Sequence, residues 1–208
     1  EKVFLMLKDS MSGNQLVANG LKSAQKAPEW KKQGSRYIVK RMDVFNSRRH
    51  DYSPVLFGDD YDQLYFSSSR NEAAGDELSG ITGTKAGDIF LSEKDDKGKW
   101  SKPEAIGTGL NTEYDEGACC FTPDGRDMYL TQCVTDPSSP RYAKIVTSPR
   151  SDAAWGKTNK LKITKDTLSS YAHPAISPDG EWLYFVSDMP GGMGGLDIWR
   201  VRITAAGL

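Results

Sequence analysis

Ser177-Pro178-Asp179-Gly180-Glu181-Trp182-Leu183-Tyr184-Phe185-Val186-Ser187 reads as the turn and second strand of a hairpin. Proline pre-sets φ for the turn, aspartate bonds back to its own backbone, and glycine takes the positive φ that closes a type I turn with a bulge. An apolar and aromatic strand follows. The same string recurs upstream as Thr122-Pro123-Asp124-Gly125-Arg126-Asp127-Met128-Tyr129-Leu130-Thr131. A degenerate third copy is Gly58-Asp59-Asp60-Tyr61-Asp62-Gln63-Leu64-Tyr65-Phe66-Ser67.

Working outward, each hairpin sits in a longer repeat. Asn46-Ser47, Asn111-Thr112 and Ser169-Ser170 precede it, each followed by a tyrosine near a strand start (Tyr52, Tyr114, Tyr171). A third strand follows it at Asp88-Ile89-Phe90, Lys144-Ile145-Val146 and Asp197-Ile198-Trp199, and then a tryptophan at Trp100 and Trp155. The tryptophans are 55 residues apart, as are Asp124 and Asp179. A period near 50 with four short strands per unit is the signature of a propeller blade. Such a meander cannot bury both faces alone and must stack on neighbours. By this register another tryptophan falls at about position 210, so the chain is expected to stop inside its third blade, short of the roughly four to eight blades of a closed ring. Open sheet edges in such a fragment favour aggregation or dimerisation. The expected fold class is therefore all-β: an incomplete β-propeller of about three four-stranded blades plus one outer strand, with a short N-terminal α-helical segment.

That segment differs from everything after it. Val3 to Leu7 is an apolar run suited to the end of a helix, and Asp9 to Gly13 a turn. Asn14 is a candidate N-cap for a second helix whose Leu16, Val17, Gly20, Leu21 and Ala24 share one face, with Pro28 expected to end it. Helix, turn, helix and proline suit residues 1–30 as the tail of a helical-repeat array. Tyr37-Ile38-Val39-Lys40 alternates like a strand and is expected to be the outer strand of a blade completed elsewhere. Residues 31–208 are then the partial propeller, with blades at about 45–106, 107–163 and 164–208.

Composition is that of an ordinary globular chain, 38% apolar and 26% charged among 208 residues, and no apolar run reaches the roughly 20 residues of a membrane span. Residues 1–50 hold 11 Lys/Arg against 4 Asp/Glu, leaving a net of −8 on residues 51–208. These basic residues are scattered, with few aromatics among them, which fits a solvated helix face rather than a nucleic-acid surface.

Little here suggests catalysis. Gly191-Gly192-Met193-Gly194-Gly195 lacks the Lys-Ser/Thr of a phosphate loop and leads into a strand. His50 and His173 are too far apart in sequence to suggest a zinc site or triad, and His173 is expected to be a hydrogen-bonded residue near the ring axis. The aspartates of 59–62 and 95–96 lack EF-hand spacing. Cys119, Cys120 and Cys133 fit no zinc pattern. Cys119 and Cys120 point to opposite faces of one strand, so at most one is expected in an inter-blade core. They read as buried thiols, a bridge to Cys133 being the alternative in an oxidising compartment. No cofactor and no metal is expected.

The Ser-Pro-Asp-Gly hairpin with Leu-Tyr-Phe resembles the TolB-type propeller repeat. Longer strings are more specific: Pro28-Glu29-Trp30-Lys31-Lys32, Asp59-Asp60-Tyr61, Asp115-Glu116-Gly117-Ala118, and Ser187-Asp188-Met189-Pro190 through Trp199. Together, over residues 14–208, they resemble the propeller of OmpA-family outer-membrane proteins of Bacteroidota, the PorE type associated with type IX secretion. The resemblance implies a tetratricopeptide array before the propeller and a peptidoglycan-binding OmpA-like domain after it. It also implies a periplasmic location at the outer membrane. Peptidoglycan binding is implied only through that C-terminal domain, which these residues do not contain. Tyr142-Ala143-Lys144-Ile145 departs from the family's Gly-Gly-x-Asp-Ile pattern.

The function expected is a non-enzymatic scaffold that docks other proteins of an envelope or secretion machine, with no nucleic-acid partner. The alternatives are the gating propeller of a prolyl-oligopeptidase-like hydrolase and a propeller binding a small ligand or carbohydrate. Connections between the second and third strands are long and unequal, and recognition concentrates on such loops. The partner surface is therefore placed on Asn71–Gly87, Val134–Tyr142 and Met189–Leu196, with Glu72, Asp76, Glu77, Leu78, Met189 and Met193 as candidate contacts.

Overall fold

The computed structural model describes residues 1–75, 78, 83–107, 109–136, 139–152 and 154–204, without the side chains of 135, 136 and 139–141. It divides into two compact units, 1–41 and 42–208.

The first unit is a helical hairpin of α1 (Lys2–Ser10) and α2 (Gln15–Gln33). Asn14 caps α2, its side-chain oxygen accepting from the amides of Leu16 and Val17 at 3.0 and 3.3 Å. Gly20 lets the ring of Phe4 lie against the α2 backbone, and Val17 is buried beside it. Pro28 does not end α2. It is exposed, and a helix continues past a proline where water can reach the carbonyl that loses its bond. Tyr37-Ile38-Val39-Lys40 pairs with no strand among the described residues and is exposed throughout. An alternating segment with no ladder and no face to bury has nothing to hold it as a strand. Among the described residues, no helix is long and apolar enough to cross a membrane.

The second unit is three antiparallel meanders. The first runs β1 (Asp51–Phe57), β2 (Gln63–Ser68), β3 (Asp88–Glu93) and β4 (Glu104–Ala105) in that spatial order. The second runs β5 (Asp115–Phe121), β6 (Asp127–Asp136), β7 (Ser139–Ser151), then β8 (Ala154–Trp155) and β9 (Asn159–Lys160), both on β7. The third is β10 (Tyr171–Ile176), β11 (Trp182–Ser187) and β12 (Asp197–Arg202). The inner strand β5 packs on β1, β2 and β3, and β10 packs on β5, β6 and β7. Strands of the first and third meanders do not touch, so the blades form an open arc of an incomplete β-propeller.

The repeat is kept down to single dihedrals. The amides of Gly125 and Gly180 donate to Thr122 and Ser177, both at 2.8 Å, with φ of +68° and +74°. In the degenerate copy Tyr61 takes the glycine's place, donating to Gly58 at 3.2 Å with φ +49°. Each inner strand also carries a bulge at the same register, with Ser53, Ala118 and His173 at φ +50°, +24° and +53°. Bulges at one level of three neighbouring strands bend each strand alike and keep the blades superposable.

Two cores glue the blades. Between the first and second lie Tyr65, Ile89, Leu110, Cys119, Met128, Leu130 and Val146. Between the second and third lie Tyr129, Ile145, Tyr171, Leu183 and Phe185. The other face of the first blade is covered by its own flanks: Phe66, Ala73 and Phe90 are buried, and Phe45 packs edge-on against Phe66 and Trp100.

Candidate partner-binding face

The connections between second and third strands open on one face. Gly87, at the end of the first, accepts from the Glu116 amide at 2.6 Å and donates to Asp115 Oδ1 at 2.8 Å, at the start of β5. In the second blade, the Ala143 amide donates to Ser170 Oγ, just before β10. The three connections therefore sit side by side above the inner-strand starts.

The first and third are held by one device, a carboxylate at the start of the third strand, and the second by another. In the first, Asp88 Oδ2 accepts from the Ala74 amide at 2.7 Å, and Lys85 Nζ donates to the carbonyls of Asn71 and Ala73. In the third, Asp197 occupies the position of Asp88, and its Oδ2 accepts from the amides of Met193 and Gly194 at 2.8 and 3.1 Å. The second blade has Lys144 at that register. Val134–Asp136 and Ser139–Tyr142 instead continue the β6–β7 ladder, a ribbon rather than the loop expected from sequence, residues 137 and 138 lying outside the described residues. The departure at Tyr142-Ala143-Lys144 and the ribbon are one feature.

Of the candidate contacts, Glu72 is exposed and meets Lys102 at 3.7 Å. Leu78 is 63% exposed and Met193 98%. Met189 lies against the core between the second and third blades, which makes it an anchor of its connection. Asp76 and Glu77 lie outside the described residues. Sequence reasoning passed over Leu168 and Leu196, 92% and 66% exposed on the same face. Leu168 belongs to the connection before β10, where the Ser170 amide donates to Asp188 Oδ1 at 2.8 Å. The Asp166-Thr-Leu-Ser turn is the only signal that could have marked it, since Asp166 Oδ1 accepts from the Leu168 and Ser169 amides.

Beneath this face the blades bury charge. Arg70 donates to Asp51 Oδ1, Ser68 Oγ and the Phe45 carbonyl at 2.7, 2.9 and 2.6 Å, with its guanidinium over the rings of Phe66 and Phe90. Burial acts to raise the Asp51 carboxyl, but the bonds from Ser68, Ser47 and Arg70 outweigh it and hold it below the usual range. At the equivalent place in the second blade, Glu116 accepts from the Thr112 hydroxyl and amide at 2.6 and 3.0 Å and from Gln132 at 3.0 Å. Among the described residues Glu116 has no cation like Arg70, and burial pushes it up to about 7 against those hydrogen bonds. Burial also raises Asp88, whose Oδ1 has no hydrogen-bond partner among the described residues.

The remaining singled-out residues lie in a turn, on an inner strand and against the two cores. Among the described residues, no group of three or more His, Cys, Asp or Glu could hold a metal ion. Asp95 accepts from the amides of Lys97 and Lys99 as a turn residue. His173 is exposed on the inner strand, its amide bonded to Thr131 Oγ1 at 2.8 Å. All three cysteines are free. Cys119 packs in the first inter-blade core and Cys120 against the second, so both face a core. The expectation that at most one would do so overlooked that the middle blade has a neighbour on each side. Burial raises both thiols, Cys120 to about 12.

No family model and no curated protein matches the sequence. Solved structures similar to it include a thermostable family-43 glycoside hydrolase, at 15% identity over 77% of this chain and 57% of that one, with a TM-score of 0.48. A puromycin-hydrolyzing peptidase of Mycobacterium tuberculosis follows at 16% identity, 78% and 32% coverage and a TM-score of 0.38. A putative TolB from Agrobacterium tumefaciens has 20% identity, 77% and 61% coverage and a TM-score of 0.36. The chain spans 57%, 32% and 61% of the lengths of these proteins, and none of them carries an activity over to it. The repeated blade geometry itself makes the chain a β-propeller protein.

Proposed function

We propose that this chain is a non-enzymatic, protein-binding propeller of the cell envelope, on the periplasmic side of the outer membrane. In this reading it is the propeller part of an OmpA-like protein of a type IX secretion or gliding machine. One observation carries the binding role: a face on which pinned connections hold Leu168, Met193 and Leu196 in solvent, with Leu78 exposed as well. Exposed apolar side chains on a rigid frame cost little ordering entropy when a partner covers them. The envelope assignment rests on the resemblance of the Asp59-Asp60-Tyr61, Asp115-Glu116-Gly117-Ala118 and Ser187–Trp199 strings to that family.

The test is site-specific photo-crosslinking in envelopes of the source organism. A crosslinking amino acid at position 193 or 168 is expected to give discrete protein adducts, and one at Tyr61 on the opposite face none. Adducts from Tyr61 alone overturn the placement.

A further inference from the structure

A second surface lies away from the loop face, in the cleft between the outer strands of the first two blades. Its volume is about 510 Å³, within the range of roughly 300–1,000 Å³ of small-ligand sites. Tyr65, Leu91, Ile106 and Trp155 supply aromatic and apolar wall, and Glu93 and Glu104 are the only charged residues lining it among the described residues.

The side-chain donors there are already used. Trp155 Nε1 donates to the Tyr65 hydroxyl at 3.2 Å, Tyr65 donates to Gln63 Oε1 at 3.2 Å, and Gln63 Nε2 donates to Glu93 Oε1 at 2.8 Å. The Ser101 hydroxyl donates to the Lys102 carbonyl. This relay runs in one direction, from the indole to the Glu93 carboxylate. Glu93 Oε2 and both oxygens of Glu104 have no hydrogen-bond or ion-pair partner among the described residues. The cleft thus offers negative acceptors beside apolar wall, and no uncommitted side-chain donor. A sugar, which brings acceptors as well as donors, is poorly matched. A donor-only cation on an apolar stem is well matched, and a planar guanidinium suits carboxylates and aromatic rings together.

The geometry points to a site for an arginine side chain presented by a peptide segment of a partner protein. The guanidinium binds Glu93 and Glu104, and its methylene stem lies on Leu91 and Ile106. A peptide rather than a free guanidine is favoured because the cleft borders β4, the last strand of its sheet, whose outer edge pairs with nothing among the described residues. An open edge accepts main-chain hydrogen bonds from an extended segment.

The 208-residue chain is titrated with the tripeptide acetyl-Gly-Arg-Gly-amide, its citrulline counterpart and ethylguanidinium. The readout is the indole N–H cross-peak of Trp155, assigned with Trp155→Phe. The arginine peptide is expected to shift this peak saturably, with affinity falling as salt rises. The neutral citrulline peptide should bind about tenfold more weakly or worse, as should the arginine peptide to the Glu93→Gln, Glu104→Gln double variant. A Cβ at Gly107 meets open space, so Gly107→Leu should fill the cleft and abolish the shift. Both glutamates are exposed, so the double variant should melt like the parent and decide the matter even if Gly107→Leu misfolds. Equal binding of the citrulline peptide, or undiminished binding by the double variant, overturns the site. Ethylguanidinium binding as tightly as the peptide overturns the peptide assignment.

Discussion

The indole nitrogen of Trp155 donates to the hydroxyl of Tyr65 at 3.2 Å, joining the outer strand of the second blade to the second strand of the first across 90 residues of chain. The Trp155 ring also lies 5.5 Å from Phe121 and 6.2 Å from Phe57. Trp100 holds the same register in the first blade: it pairs with Lys94 as Trp155 pairs with Arg150, and each cation lies over its indole. Its ring, however, meets Phe45, which precedes the first strand, at 5.3 Å. One tryptophan closes an inter-blade core, and the other covers the far face of the arc.

Trp155 is half-buried, so Trp155→Ala is expected to cost about 3 kcal/mol, the lower end of the range for a buried aromatic, and Trp100→Ala less. Tyr65→Phe removes only the hydroxyl and should cost about 1 kcal/mol. Urea midpoints at constant m-value rank the three. A larger loss at Trp100 than at Trp155 contradicts the assignment of the inter-blade contact.

Glu116 sets a pH dependence. Its carboxyl is raised from 4.5 to about 7 in the folded chain. Between those values the folded state holds a proton that the unfolded state has released, so stability falls as pH rises through this window. The full penalty, about 3 kcal/mol, is reached above the folded value. Glu116→Gln keeps the shape without the ionisation and should flatten the slope between pH 4.5 and 7. An unchanged slope in urea titrations of that variant places the dependence elsewhere.

Asp51 acts in the opposite direction. Its carboxyl is held below the usual range, so the stability it contributes is present above the unfolded value and is lost as pH falls through the folded one. Its partner Arg70 is buried, and removing one member of a buried pair leaves an uncompensated charge. Arg70→Met or Asp51→Asn alone should cost about 3–5 kcal/mol, and the double variant less than the sum. Additive losses in a double-mutant cycle show that the pair is not coupled.

At Gly192 a Cβ would fall on Asp197 Oδ2, the acceptor that pins Met193 and Gly194. Gly192→Ala should speed hydrogen exchange of those two amides while the melting temperature moves by no more than a few degrees. Unchanged exchange at both amides removes Asp197 as the clamp.

Under the proposed scaffold role, replacing residues 75–84 with a short Gly-Ser turn, which leaves the Ala73 core contact, the Ala74–Asp88 bond and Lys85 in place, should reduce capture of a crosslinked partner by the loop face. The melting temperature should hold within a few degrees. Retained capture assigns recognition to the third-blade connections, where Leu168, Met193 and Leu196 are exposed.

The blades were legible in the sequence because their information is local. A Pro-Asp-Gly turn, a period-2 apolar strand and a tryptophan 55 residues from its counterpart each need only a few neighbouring residues to state their geometry. Asn14 as a helix cap was legible for the same reason. What lay beyond reach depended on partners far along the chain. The ribbon at Val134–Tyr142 follows from which register β6 and β7 keep, and nothing in that stretch forbids a loop. Both Cys119 and Cys120 face a core because blades stack on both sides of β5. Tyr37–Lys40 has the alternation of a strand and lacks a ladder among the described residues, and alternation alone supplies no hydrogen bonds. The Trp155–Tyr65–Gln63–Glu93 relay joins residues from two blades, so only the stacking of one sheet on the next could bring its four polar groups within hydrogen-bond distance. Periodicity and turn chemistry are written residue by residue, whereas burial, register and polar pairing are decided when the sheets pack.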